Sequence, residues 1–142
     1  MWVKIRDFAI GRGHPLVFIA GPCVIESHKG CMILAEKLKI IFQARKIPYV
    51  FKASYDKANR TSVNSYRGPG RKKGLEILAD IKRQIDVPVL SDVHGAEDVT
   101  FAAETLDIIQ IPAFLSRQTD LIVAAAKTGR PVNVKKGQFL AP

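Results

Sequence analysis

The sequence predicts an α/β fold built on a parallel sheet. Short apolar runs of β type alternate with segments whose apolar residues recur at helical spacing, in the order β-α-β-α-β-α-β-α-β. Those runs are predominantly apolar, with their polar residues gathered mainly at the ends, which marks strands covered on both faces. At 142 residues, 47% of them hydrophobic, the chain reads as a single domain long enough to bury a core.

The elements are taken in chain order. Residues 1–15 read as an N-terminal hairpin and turn: Trp2 to Ile10 alternate around Arg6-Asp7, and Gly11, Gly13 and Pro15 punctuate the turn after them. Residues 16–142 carry strands one to five with four helices. LVFIA (16–20) is strand one. Ser27 is a plausible N-cap for a helix whose stripe is Met32, Leu34, Leu38, Ile41 and Phe42. YVFK (49–52) is strand two, and a polar loop runs from Ala53 to Gly70. Leu75, Ile77, Leu78 and Ile81 form the second helical stripe. PVLSD (88–92) is strand three, 96–105 a short Ala-rich helix and DIIQI (107–111) strand four. Arg117 to Lys127 form a helix ended by Gly129 and Pro131, and PVNVK (131–135) is strand five. Val17, Val50, Val89 and Ile109, or their alternates, face one side of the sheet.

Five parallel strands fit an open doubly wound sheet or part of a barrel. The first turn, AGPCVIES, lacks the G-x-G-x-x-G of a dinucleotide fold. A (β/α)8 barrel takes about 250 residues, so this chain supplies roughly half of one.

Composition excludes several classes. Near-average apolar and charged fractions exclude a disordered, collagenous or coiled-coil chain. No apolar run approaches the roughly 20 residues of a membrane span, and the N-terminal stretch has no apolar h-region. Cys23 and Cys31 make no disulfide framework. A cytoplasmic protein without membrane contact is the expectation. The net charge of +9 is concentrated: nine Lys and Arg lie between Arg45 and Lys73, opposed only by Asp56. That excess points to an anionic partner. Tyr55 and Tyr66 are the only aromatics in the basic loop, and no nucleic-acid signature accompanies them, so phosphate ranks above nucleic acid.

In parallel α/β folds functional groups gather beyond the carboxyl ends of the strands. Here those exits carry Cys23 and Glu26, then Lys52, Asp56, Lys57, Asn59 and Arg60, then Asp92 and His94, then Gln110, then Lys135, Lys136 and Gln138. Polar exits at all five strands suggest an enzyme. Lys52, Lys57 and Lys135 would converge on one anion, and Arg60 beside Thr61 and Ser62 suits the forked bonding of a phosphate. Lys72 and Lys73 read as helix surface. Cys31 reads as a buried apolar residue, Cys23 as a rim thiolate open to ligation or nucleophilic work. His94 reads as a ligand or a loop residue, and His14 and His28 as surface.

AGPCVIES (20–27), FKASYDKANRTSVNSYRGPG (51–70), DVH (92–94), IIQIPAFLSRQTDL (108–121) and AAAKTGRPVNVKKGQF (124–139) together resemble 3-deoxy-D-manno-octulosonate 8-phosphate synthases. The related 3-deoxy-arabino-heptulosonate 7-phosphate synthases share a GPC-x-x-E turn but carry a Pro-Arg-Thr phosphate loop, and are the second choice. The resemblance implies the N-terminal part of a (β/α)8 TIM barrel, with the hairpin closing its bottom. It implies a cytoplasmic, tetrameric enzyme of lipopolysaccharide synthesis that condenses phosphoenolpyruvate with arabinose 5-phosphate and releases phosphate. By motif position, Lys52, Lys57, Gln110 and Lys135 hold phosphoenolpyruvate. Asn59, Arg60, Thr61 and Asp92 hold the sugar phosphate, and Arg117 reaches a neighbouring subunit's sugar phosphate. Lys57 and Asp92 are the catalytic residues so implied. Cys23 implies the metal-dependent branch, with zinc or ferrous iron favoured for a thiolate and manganese a further candidate.

Three positions depart from that pattern. Thr61 stands where serine is usual, and Gly95 where an acid commonly follows DVH. The sequence also stops before strands six to eight, which in the family bring another arginine and the remaining metal ligands.

Overall fold

The computed structural model describes residues 1–141. Strands β1 (Trp2–Ile5) and β2 (Phe8–Gly11) form an antiparallel hairpin turning at Arg6-Asp7, where Arg6 takes a positive φ of 47°. Then come β3 (Phe18–Ala20), α1 (His28–Gln43), β4 (Tyr49–Lys52), α2 (Arg71–Gln84), β5 (Val89–Asp92), α3 (Ala96–Thr105), β6 (Ile108–Ile111), α4 (Thr119–Lys127) and β7 (Val132–Val134). The five later strands pair in parallel in sequential order, β3-β4-β5-β6-β7. That is a curled segment of a (β/α) barrel, and the doubly wound alternative falls away because no strand order reverses. Among the described residues no helix is long and apolar enough to cross a membrane.

Local chemistry explains the helix boundaries. Ser27 caps α1: its Oγ accepts from the Gly30 backbone N–H at 3.1 Å. Glu97 and Asp98 in the first turn of α3 face its positive dipole end. Gly74 lets α2 lie on the loop before it, because a Cβ there would stand 2.3 Å from Tyr55 Cβ. Two boundaries differ from the sequence reading. Pairing of the first barrel strand begins only at Phe18, opposite Tyr49, since Leu16 and Val17 precede the first register position. The fourth helix begins at Thr119, not Arg117, because after Pro112 the chain first makes a 3₁₀ turn at Ala113–Leu115.

Two cores lie on opposite faces of the sheet. The larger packs α1 to α4 on Phe51, Val89, Ile109 and Ile111, all fully buried. The smaller lies inside the curl, where Ile5 of the hairpin meets Val50, Leu90 and Ile108. The inward set is thus Val17 and Val50 together with Leu90 and Ile108. Val89 and Ile109 point out at the helices. Uniformly apolar strands carry no phase, so only pairing settles which alternate residues face in.

Candidate active site

Register builds the site. Parallel partners point the same way, so Lys52, Leu90 and Ile108 form one inward row, and Asp92, Gln110 and Asn133 form the next. The lower row still contains apolar plugs; the upper row, at the strand exits, is wholly polar. Above it lies a cavity of about 520 Å³ lined by Lys52, Lys57, Asn59, Asp92, Gln110 and Lys135, with His94, Asn133 and Gln138 among the further walls. Eight of the strand-exit residues singled out in the sequence therefore share one space.

Gly21 permits the turn at the first exit, since a Cβ on it would lie 2.0 Å from the Lys52 carbonyl oxygen. The Lys52 ammonium donates to Ser54 Oγ at 2.8 Å and to the Cys23 carbonyl at 3.3 Å. Ser54 Oγ in turn donates to Asp92 Oδ1 at 2.5 Å, and Lys52 Nζ stands 4.0 Å from that oxygen. His94 Nε2 is 3.3 Å from Asp92 Oδ2, with its ring edge-on to Tyr55. Asp92 is buried, which alone would push its carboxyl up. The hydrogen bonds from His94 and Ser54 and the charge of Lys52 outweigh burial and hold it at about 2. It is a carboxylate at neutral pH. Burial depresses Lys52, helped by the ammonium groups of Lys57 and Lys135 and opposed by Asp92.

The basic loop folds as a platform for Lys57. Its backbone N–H bonds the Arg67 carbonyl at 2.7 Å, and Arg67 is held by a two-point pair with Asp56. Arg60 Nε donates to the Lys57 carbonyl at 2.6 Å, while its Nη2 is buried with no partner among the described residues. A buried guanidinium nitrogen without an acceptor is costly unless a ligand supplies one. Arg60 and Thr61 do not line the cavity, although Asn59 beside them does. Arg117 is exposed and outside it.

Cys23 is exposed and outside the cavity lining. Among the described residues no three His, Cys, Asp or Glu side chains are placed to hold a metal ion. One thiolate falls short of a tight site, so these residues do not by themselves fit a metal. Ser54 and Asn133 were not legible as site residues. Ser54 follows a strand by two positions in a polar loop, and Asn133 is one polar residue between two valines.

Comparison with known proteins identifies the family. The sequence model of the DAHP synthetase I family matches residues 2–142. A protein of Geotalea uraniireducens (strain Rf4) named 2-dehydro-3-deoxyphosphooctonate aldolase is 61% identical over 140 residues, covering 99% of this chain and 52% of that protein. Proteins of the same name from Koribacter versatilis and Paracidovorax citrulli are 60% and 57% identical, with 50% and 49% of their lengths covered. The chain spans about half the length of the curated relatives it matches. By fold, by strand-exit chemistry and by a match that leaves out only its first residue, the chain belongs to the DAHP synthetase I family.

Proposed function

We propose that this chain is the substrate-anion half of an enzyme that condenses phosphoenolpyruvate with arabinose 5-phosphate, giving 3-deoxy-D-manno-octulosonate 8-phosphate and inorganic phosphate. The observation that carries the reading is the meeting of Lys52, Lys57 and Lys135 around one cavity with a single nearby carboxylate, Asp92. Phosphoenolpyruvate bears a carboxylate and a phosphate, and a ring of ammonium groups neutralises both. Lys52, Lys57, Gln110 and Lys135 are its proposed contacts. Asn59, Arg60, Thr61 and Asp92 are assigned to the sugar phosphate, the open Arg60 Nη2 being the donor that awaits an acceptor.

In the reaction the enol carbon joins the sugar aldehyde, water adds at the neighbouring carbon, and the phosphate leaves. Lys57 is assigned to the negative charge that develops on the aldehyde oxygen. Asp92, ionised and anchored by Ser54 and His94, is an acceptor only; it orients a hydroxyl or takes a proton and has none to give. Cys23 is the one soft donor offered to a divalent ion, zinc or ferrous iron, whose other ligands are assigned to the half of the relatives that this chain does not match. Arg117 is assigned to a neighbouring subunit of a tetramer, and the setting to the cytoplasm. The names carried by the relatives support the octulosonate product over the heptulosonate one. The KANR loop at 57–60, in place of Pro-Arg-Thr, supports it too.

Arg60→Ala in the full-length protein tests the reading. The KM for arabinose 5-phosphate should rise at least tenfold with little change in melting temperature, because the guanidinium has one internal acceptor. A large loss of stability with unchanged sugar affinity would mean that Arg60 serves the fold.

A further inference from the structure

We propose that Asn133 is a positioning residue: its amide fixes Gln110 so that the Gln110 NH2 group faces the cavity as a donor to the bound anion. This rests on the substrate reading above and names a residue to which that reading gave no role.

Asn133 and Gln110 are direct partners in the register of β6 and β7, and both line the cavity. Asn133 Nδ2 donates to Gln110 Oε1 at 2.9 Å. A primary amide has one acceptor end and one donor end. With its oxygen engaged sideways by Asn133, Gln110 has only N–H groups left to offer. A free glutamine would be indifferent, presenting oxygen or nitrogen by a half-turn of its last torsion. An anion ringed by ammonium groups binds the nitrogen face and is repelled by the oxygen face. Holding the amide one way thus removes both the repulsive orientation and the entropy of choosing.

The backbone of Asn133 pairs with β6 as Val132 and Val134 do, and its side chain has no part in that pairing. A half-buried amide on the inward face is a burden unless bonded, and Gln110 is its one side-chain partner among the described residues.

A double-mutant cycle read by calorimetric titration with phosphoenolpyruvate tests this. The proteins are the full-length protein, its Gln110→Met and Asn133→Leu variants and the double variant, all without change of net charge. Gln110→Met should weaken binding roughly ten- to hundredfold, the worth of a hydrogen bond to a charged group. Asn133→Leu should weaken it nearly as much, and should add nothing once Gln110 is methionine. In the unsubstituted full-length protein, labelled with ¹⁵N, the Gln110 side-chain amide resonances should shift on titration. If Asn133→Leu does not fold, Asn133→Ala completes the same cycle. Unchanged affinity in the Asn133 variants, or a further loss on top of Gln110→Met, would overturn the inference while leaving the substrate reading intact. Absence of binding by the unsubstituted full-length protein would overturn both.

Discussion

Asp92 holds its charge in a buried place because three groups favour the carboxylate: His94, the Ser54 hydroxyl and the Lys52 ammonium. Its folded value of about 2 lies below the ordinary 3.8, so its contribution to stability is complete above about pH 4 and is lost as pH falls toward 2. That loss amounts to about 2 kcal/mol on the linkage scale. Urea unfolding at a series of pH values should show it, and Asp92→Asn should flatten the profile in that window alone. An unchanged profile would place the charge elsewhere. Cys23 makes a different prediction. In the full-length protein, Cys23→Asn should abolish stoichiometric zinc or iron, measured by elemental analysis of the purified variant. Retention of the metal would show that the thiolate is not a ligand.

The hairpin shows which contacts of an element matter. Ile5 is 2% exposed and fills the floor of the curl against Val50, Leu90 and Ile108. Beside it Arg6 Nε reaches Asp107 Oδ1 at 3.2 Å, with Lys82 Nζ 3.1 Å from the same oxygen, and Asp107 Oδ2 accepts from the Val89 N–H. Arg6 also pairs with Asp86, whose side chain is 83% exposed. Ile5→Ala should therefore cost about 3 kcal/mol by opening a cavity at the floor. Asp86→Asn should cost less than about 0.5 kcal/mol, since an exposed pair is screened and asparagine tolerates the left-handed backbone at this position, φ 51°. Denaturant titration gives both numbers, and the reverse order would mean that charge, not packing, seats the hairpin. The sequence shows this hairpin through its alternation around Arg6-Asp7. It shows nothing of what Arg6 holds, because Asp86 and Asp107 are 80 and 101 residues away.

At the scale of the molecule, element order and the polar strand exits were legible, because each depends on local periodicity and on where runs end. The facing of the strands was not. Leu90 and Ile108 turn inward where Val89 and Ile109 were equally suitable by residue type, and pairing decides. The same limit hid Asn133, whose meaning comes from standing opposite Gln110. The five-stranded sheet has one unpaired side on β3 and one on β7, with Phe18 and Val134 exposed there. In the function proposed above it supplies one wall of a site whose other wall, in relatives twice as long, is assigned to sequence that this chain does not match. The direct test is a phosphate-release assay on purified 1–142 with phosphoenolpyruvate and arabinose 5-phosphate, run with and without the separately produced C-terminal half of a full-length relative. Release only on mixing the halves is the predicted result. Turnover by 1–142 alone, or by the C-terminal half alone, would contradict the assignment of this chain as the substrate-anion half of the enzyme.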